Sequence, residues 1–234
     1  MEGTENTTYW SFDRRIGLFN ETVKTYLPNL LAERLMDHLA HSTFLISFGI
    51  EDYVWNYLPP SNGTLSHLTP DIFAELLIDG LAVRLAALYK LGARKMVLNN
   101  LWPMGCTPAF ANPSDPTVLC CNESINKMVR PFSEGLPSIL NQLKSNLSEA
   151  NFSVLNDLQF VANLKSNPNK YGITNTVDPC FKNDTSRCDS PDQYLYWDWV
   201  QTTEAANHVL AINCFNGTIC SPKNIIELVG ASSS

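Results

Sequence analysis

Three short β-rich runs separated by helical sequence constrain this chain most: residues 43–48 (TFLISF), 94–101 (RKMVLNNL) and 152–158 (FSVLNDL). The first is almost wholly apolar and ends at Gly49, which is how a parallel strand covered on both faces reads. Helical spacing fills the intervals. Residues 16–41 carry an apolar stripe that Pro28 is expected to divide. The stretch from Thr69 to Gly92 reads as one long helix, with Thr69 as N-cap, Pro70 in the first turn, Asp71 at the positive end and Gly92 closing it. A helical segment follows at 122–150, with breaks expected near Pro131 and Pro137. Residues 168–193 read as an irregular, cysteine-stapled loop before helices at about 203–213 and 222–229. Strand alternating with helix implies a parallel α/β sheet, in which ligands sit at the carboxyl ends of strands. Gly49-Ile50-Glu51-Asp52 and Asp198 both fall at such ends.

With 234 residues, 44% of them hydrophobic, the chain can bury the core of a single domain spanning 1–234. Sixteen Lys and Arg stand against 23 Asp and Glu, a net charge of −7 without a basic run, which argues against nucleic-acid binding. No apolar stretch approaches the roughly 18–20 residues of a membrane span. Asn-x-Ser/Thr sequons begin at Asn6, Asn20, Asn62, Asn122, Asn146, Asn151, Asn183 and Asn216, a density that points to a glycosylated protein of the secretory pathway. The seven cysteines agree. Cys180 with Cys188, and Cys214 with Cys220, are spaced for local bridges. Cys106 can reach Cys120 or Cys121, and one thiol stays unmatched. No Cys/His group has zinc-site spacing, so neither metal nor cofactor is expected. The opening residues, MEGTENTTYWSF, have neither the basic nor the apolar region of a signal peptide, which implies sequence upstream.

Three stretches carry a family resemblance: FLISFGIEDY, LYKLGARKMVLNNLWPMGCTP and YLYWDWVQTTEAAN. They resemble blocks of the plant GDSL esterase/lipase family, a branch of the SGNH hydrolases, namely Gly-x-Asn-Asp after an apolar strand, LGARK…PLGC.P, and Asp-x-x-His-Pro-Thr-Glu-Ala-x-Asn. The likeness runs from about Phe44 to Leu228. It implies a three-layer α/β/α, flavodoxin-like fold with strand order 2-1-3-4-5, of which this chain is the C-terminal portion lacking the first strands. It also implies hydrolysis of carboxylic esters, with an ester or lipid ligand. In that chemistry a serine attacks, a histidine deprotonates it, an aspartate orients the histidine, and backbone and asparagine donors stabilise the oxyanion.

By the same resemblance the catalytic set is broken. Residues 1–42 contain no Gly-Asp-Ser, and the block II glycine is unrecognisable. Glu51 stands at the oxyanion asparagine, where an ionised carboxylate accepts hydrogen bonds and cannot donate them. Gln201 stands at the histidine, and its amide cannot take up a proton. Asp198 alone matches, with no imidazole to orient, and its simpler role is to bond the backbone at a loop-to-helix junction capped by Thr202 or Thr203. His208 lies two helical turns beyond Gln201 and reads as packed or solvated, as do His38, His41 and His67. Ser47 reads as buried inside its strand.

Three functional readings follow. The chain is a carboxylic-ester hydrolase by family but catalytically inactive, or it is a non-catalytic binding or partner protein, or a truncated gene product without either role. Without its first strands, the 43–48 strand would expose an unprotected apolar edge. Residues 1–15 folding back, a second chain, or poor solubility are the expected consequences.

Overall fold

The computed structural model describes residues 10–58, 63–112, 121–183 and 186–230. It opens with α1 (Phe12–Glu21), capped by the Ser11 side chain, which accepts the Arg14 N–H. A π-helical turn leads into α2 (Leu27–Leu31), and a 3-10 turn leads into α3 (Leu35–His41). The break expected at Pro28 falls at Ala32, whose φ is 45°. Pro28 lies in the first turn of α2, where its missing N–H would have had no partner anyway.

Strand β1 (Thr43–Ser47) follows, then the single turn α4 (Ile50–Asp52) and a second π-helical turn. The long helix α5 (Pro70–Lys90) has the expected cap: Thr69 accepts the Ile72 N–H, and Pro70 opens the first turn. Gly92 closes it at φ 110°, and a Cβ there would come within 2.9 Å of the Leu39 Cβ, so no larger residue fits. After β2 (Lys95–Asn99) comes α6 (Glu123–Asn146), which runs unbroken through Pro131 and Pro137. The expected interruption at Pro137 is bridged from outside. Proline leaves the Ser133 carbonyl four residues back without a ladder partner, and the Asn100 amide donates to it at 3.4 Å.

The third strand, β3 (Asn151–Leu155), is shorter than its sequence suggests because α7 (Asp157–Ser166) begins two residues later. Within the region expected to be irregular, β4 (Asn175–Pro179) pairs with β7 (Tyr194–Tyr196) and β5 (Phe181–Asn183) with β6 (Ser186–Arg187). The chain finishes with α8 (Glu204–Asn216), β8 (Cys220–Ser221) and α9 (Ile225–Gly230).

The main sheet has the order β1-β2-β3-β8. The first three strands are parallel and in register, with Leu45 opposite Val97 and Val97 opposite Ser153. The expectation of a wholly parallel sheet fails at β8, which is antiparallel to β3. The Cys214–Cys220 bridge ties the last turn of α8 to this strand. Bridges also join Cys106 to Cys121 and Cys180 to Cys188, with Cα separations of 4.2 and 4.8 Å. Cys120 lies outside the described residues.

Strand side chains alternate between two faces. Ile46, Met96, Leu98, Phe152 and Val154 meet Phe73, Leu77, Leu81, Phe132 and Leu136 from α5 and α6. Helix α1 extends this layer, with Phe12 on Phe48 and Phe19 on Phe44. On the other face Val97 and Leu155 pack beneath Leu210, Cys214 and Leu228 from α8 and α9. The buried Lys95 ammonium ties that layer down by donating to the Val229 carbonyl at 2.7 Å. The result is the expected three-layer α/β/α arrangement.

The second face is incomplete. Leu45 is 69% exposed, and Ser47, expected to be buried, is exposed too, because α8 and α9 cover β2 and β3 but stop short of β1. Among the described residues β1 pairs with β2 alone. Helix α1 covers a face of β1 and not its edge.

Phe73 is fully buried, stacked on Tyr57 at 4.1 Å and edge-on to Tyr53 at 4.9 Å. Phe73→Ala is expected to cost about 3–5 kcal/mol in urea unfolding, the range for deleting a buried ring. Val83→Ala, on the same helix but 70% exposed, is expected to stay within about 0.5 kcal/mol.

Candidate functional site

A groove of about 650 Å³ lies where the second layer stops short of β1. Leu45, Ser47, Asn99 and Leu155 form its floor at the carboxyl halves of the parallel strands, and Leu210, Ile212 and Phe215 of α8 form one wall. Its polar end gathers Asn100, Gln201, Thr202, Asn207 and His208. Among the described residues, no Asp, Glu, Lys or Arg lines it. The volume falls within the range of small-molecule sites, and the lining joins apolar side chains to amide, hydroxyl and imidazole groups.

The polar end is built by the turn before α8. Asp198 accepts the backbone N–H groups of Val200 and Gln201 through one carboxylate oxygen, at 2.8 and 2.7 Å. The Trp197 N–H donates to the Gln201 carbonyl, and Tyr196 bridges to Thr202. Thr203 caps α8, accepting the Ala206 N–H and donating to the Tyr194 carbonyl, while Thr202 donates to Asn207. Gln201 therefore reaches the groove, whereas Asp198 supports the turn behind it and is not among the lining residues.

Glu51 stands apart. It lies on α4, where Ile50 faces the groove, and its carboxylate accepts the Trp55 indole N–H at 2.5 Å. The structure thus brings Gln201 to the site but places neither Glu51 nor Asp198 in the lining. It also adds residues that the sequence had not singled out as a set: Ser47, Asn99 and His208. Among the described residues, no hydrogen bond engages the side chains of Ser47, Asn99, Gln201 or His208. Ser47 and His208 share the groove without being hydrogen-bonded to each other, so they do not form a nucleophile–base pair.

Beneath the polar end, a buried knot fixes the 102–107 loop. The Cys106 carbonyl accepts the Tyr196 hydroxyl at 2.7 Å and the Lys165 ammonium at 3.2 Å, and the Trp102 indole N–H donates to the same hydroxyl at 3.4 Å. Burial pushes the Tyr196 phenol well above its ordinary value, so it stays a donor. Gly105 is obligatory here, because a Cβ would lie 2.2 Å from the Asn122 carbonyl oxygen. The spacing Trp102…Cys106 was visible in the sequence, but nothing local paired it with Lys165 or Tyr196.

The chain is similar to the family described as GDSL-like Lipase/Acylhydrolase over residues 3–213. One GDSL esterase/lipase of Arabidopsis thaliana is 31% identical over 232 residues, covering 93% of this chain and 60% of that protein. A second from the same plant is 32% identical over 249 residues, covering 97% and 64%. The plant's GDSL esterase/lipase 7 is 30% identical over 221 residues, covering 88% and 61%. The chain spans about three fifths of the length of these curated relatives.

Burial raises the Asp52 carboxyl above its ordinary 3.8, opposed by the Arg84 guanidinium. The folded state then holds this proton more tightly than the unfolded chain does. Its contribution to stability is complete below pH 3.8 and is lost as pH rises through the folded-state value. Asp52→Asn is therefore expected to melt progressively higher than the parent as pH rises from about 3.8 to 7. Parallel melting curves of the two proteins across that window would contradict the assignment.

Proposed function

The chain belongs to the GDSL-like lipase/acylhydrolase family, and from that premise we propose that it binds neutral ester or lipid ligands in the β1–α8 groove without hydrolysing them. One observation carries the reading: the turn after Asp198 contributes Val200, Gln201 and Thr202 to the groove lining, with a carboxamide and no imidazole at position 201. Ester hydrolysis by a serine hydroxyl needs a group that accepts its proton near neutral pH, and a carboxamide does not. Two further features support it. The Glu51 carboxylate is engaged with Trp55 outside the groove lining and supplies no donor to an oxyanion. Asp198 uses its carboxylate oxygen to hold two backbone N–H groups, a structural task complete without a histidine.

The groove's chemistry favours an uncharged ligand. Its apolar wall suits an alkyl chain, and carboxamides and hydroxyls at the other end suit neutral oxygens, while no cation is there to hold a carboxylate or phosphate. Passage through the secretory pathway is part of the proposal. The sequon residues Asn146 and Asn216 are exposed, and three disulfides suit an oxidising compartment.

Purified chain is expected to release no p-nitrophenol from p-nitrophenyl acetate or butyrate beyond a heat-denatured control. Gln201→His alone is expected to add nothing, because a base without a positioned nucleophile activates nothing. Turnover abolished by a serine-directed organophosphate would overturn the proposal.

A further inference from the structure

We propose that Asn216 carries an N-linked glycan that screens Ile212 and Phe215, the apolar α8 wall of the groove, from solvent. Such a glycan requires the secretory passage proposed above and lies on the groove proposed there. Asn216 belongs to two sets at once. It opens the sequon Asn216-Gly217-Thr218, and it is one of the groove's lining residues.

Among the sequons that lie wholly within the described residues, local hydrogen bonding sets this one apart. Asn20 is half-buried on α1, and the Thr22 hydroxyl of its sequon donates to the Leu18 carbonyl at 2.9 Å. The Asn122 carboxamide oxygen caps α6 by accepting the Ser124 and Ile125 N–H groups. Asn151 begins β3, its amide donates to the Glu149 carbonyl, and Ser153 of that sequon is fully buried. Asn146 is exposed, but the Ser148 hydroxyl is hydrogen-bonded to the Tyr89 hydroxyl. Asn216 and Thr218 are both exposed, and among the described residues neither side chain has a hydrogen-bond partner. The chain leaves α8 at Gly217, whose ψ of −150° is not helical, so the acceptor stands at a helix end inside the short loop closed by Cys214–Cys220.

Ile212, Phe215 and Asn216 are spaced i, i+3 and i+4, which puts them on one face of α8. Ile212 is 49% and Phe215 51% exposed there. A bulky, solvated oligosaccharide rooted at Asn216 lies over both. Asn207, at the polar end, precedes Asn216 by about 14 Å along the helix axis, so Gln201, Thr202 and His208 stay open to a ligand. The transfer needs an oligosaccharide carried on a polyisoprenyl diphosphate. The Asn216 Nδ2 bonds to C1 of its first sugar, the C1–O bond to the diphosphate breaks, one Nδ2 proton is lost, and the polyisoprenyl diphosphate leaves.

Chain secreted from a eukaryotic host behind a cleavable leader, read by glycopeptide mass spectrometry and hydroxyl-radical footprinting, tests the proposal. Asn216 is expected to be occupied, and Ile212 and Phe215 to be labelled several-fold less than in Thr218→Ala, which removes the sequon and keeps Asn216. Thr218→Ser retains the sequon and is expected to retain both glycan and protection. Ser148→Ala removes the Asn146 sequon and is expected to leave Phe215 labelling unchanged. Thr218 is exposed, so its variants should keep the parent's unfolding midpoint by circular dichroism, and enzymatic removal of the glycan from the parent makes the same comparison without a substitution. Footprinting needs no ligand, so a screened groove that binds nothing would sink the ligand reading and uphold the glycan's role. Asn216 bare while other sequons carry glycans, or Phe215 labelled equally with and without the glycan, would overturn the proposal. A chain bare at every sequon would overturn it together with the secretory reading.

Discussion

Two faces of one sheet have to be covered, and in this chain only one is covered from end to end. Parallel strands send alternate side chains to opposite faces, so β1, β2 and β3 each need a layer above and a layer below. Helices α1, α5 and α6 supply the first layer across all three strands. Helices α8 and α9 supply the second layer for β2 and β3 only. Among the described residues, the groove and the exposure of Leu45 and Ser47 follow from that one shortfall.

The incompleteness falls at the end of the sheet where chemistry is usually placed. The carboxyl ends of parallel strands open onto the turn that begins α8, and a hydrogen-bonded turn at Asp198 and a buried knot around the Cys106 carbonyl hold that region rigid. In the proposed reading, a rigid groove in which Ser47 and His208 are not hydrogen-bonded to each other suits retention of a ligand better than its conversion. The side chains offered to a ligand are amides, hydroxyls and one imidazole. In the proposed reading these groups, set among apolar side chains, would recognise neutral oxygen-bearing ligands.

Local chemistry made much of the fold legible in the sequence. Thr69, Pro70 and Gly92 bracket α5 as their capping preferences dictate, and the three strands appear in the order expected. What escaped depended on contacts distant in the chain. Pro137 does not break α6 because Asn100 reaches its orphaned carbonyl from another element. β8 pairs antiparallel to β3, a direction that no local signal in its two residues carries. Ser47 is exposed because a helix layer ends early, and Lys165 finds a buried carbonyl across 59 residues. At the site, the motif singles out Gln201 and Asp198 together, and only the structure shows one lining the groove and the other supporting the turn. Glu51 was placed beside them by family resemblance, and its bond to Trp55 on the next helical turn draws it away.

The central claim is that the groove between β1 and α8 is a binding site for neutral alkyl ligands. Methyl NMR of leucine-labelled protein titrated with an uncharged, hydrolysis-resistant long-chain alkyl ether tests it most directly. The account predicts saturable shifts at Leu45, Leu155 and Leu210, which line the groove, with Leu30 and Leu76 unmoved although both are exposed elsewhere. Shifts spread evenly over exposed leucines, or none at Leu45 and Leu210 up to the solubility limit of the ether, would contradict it.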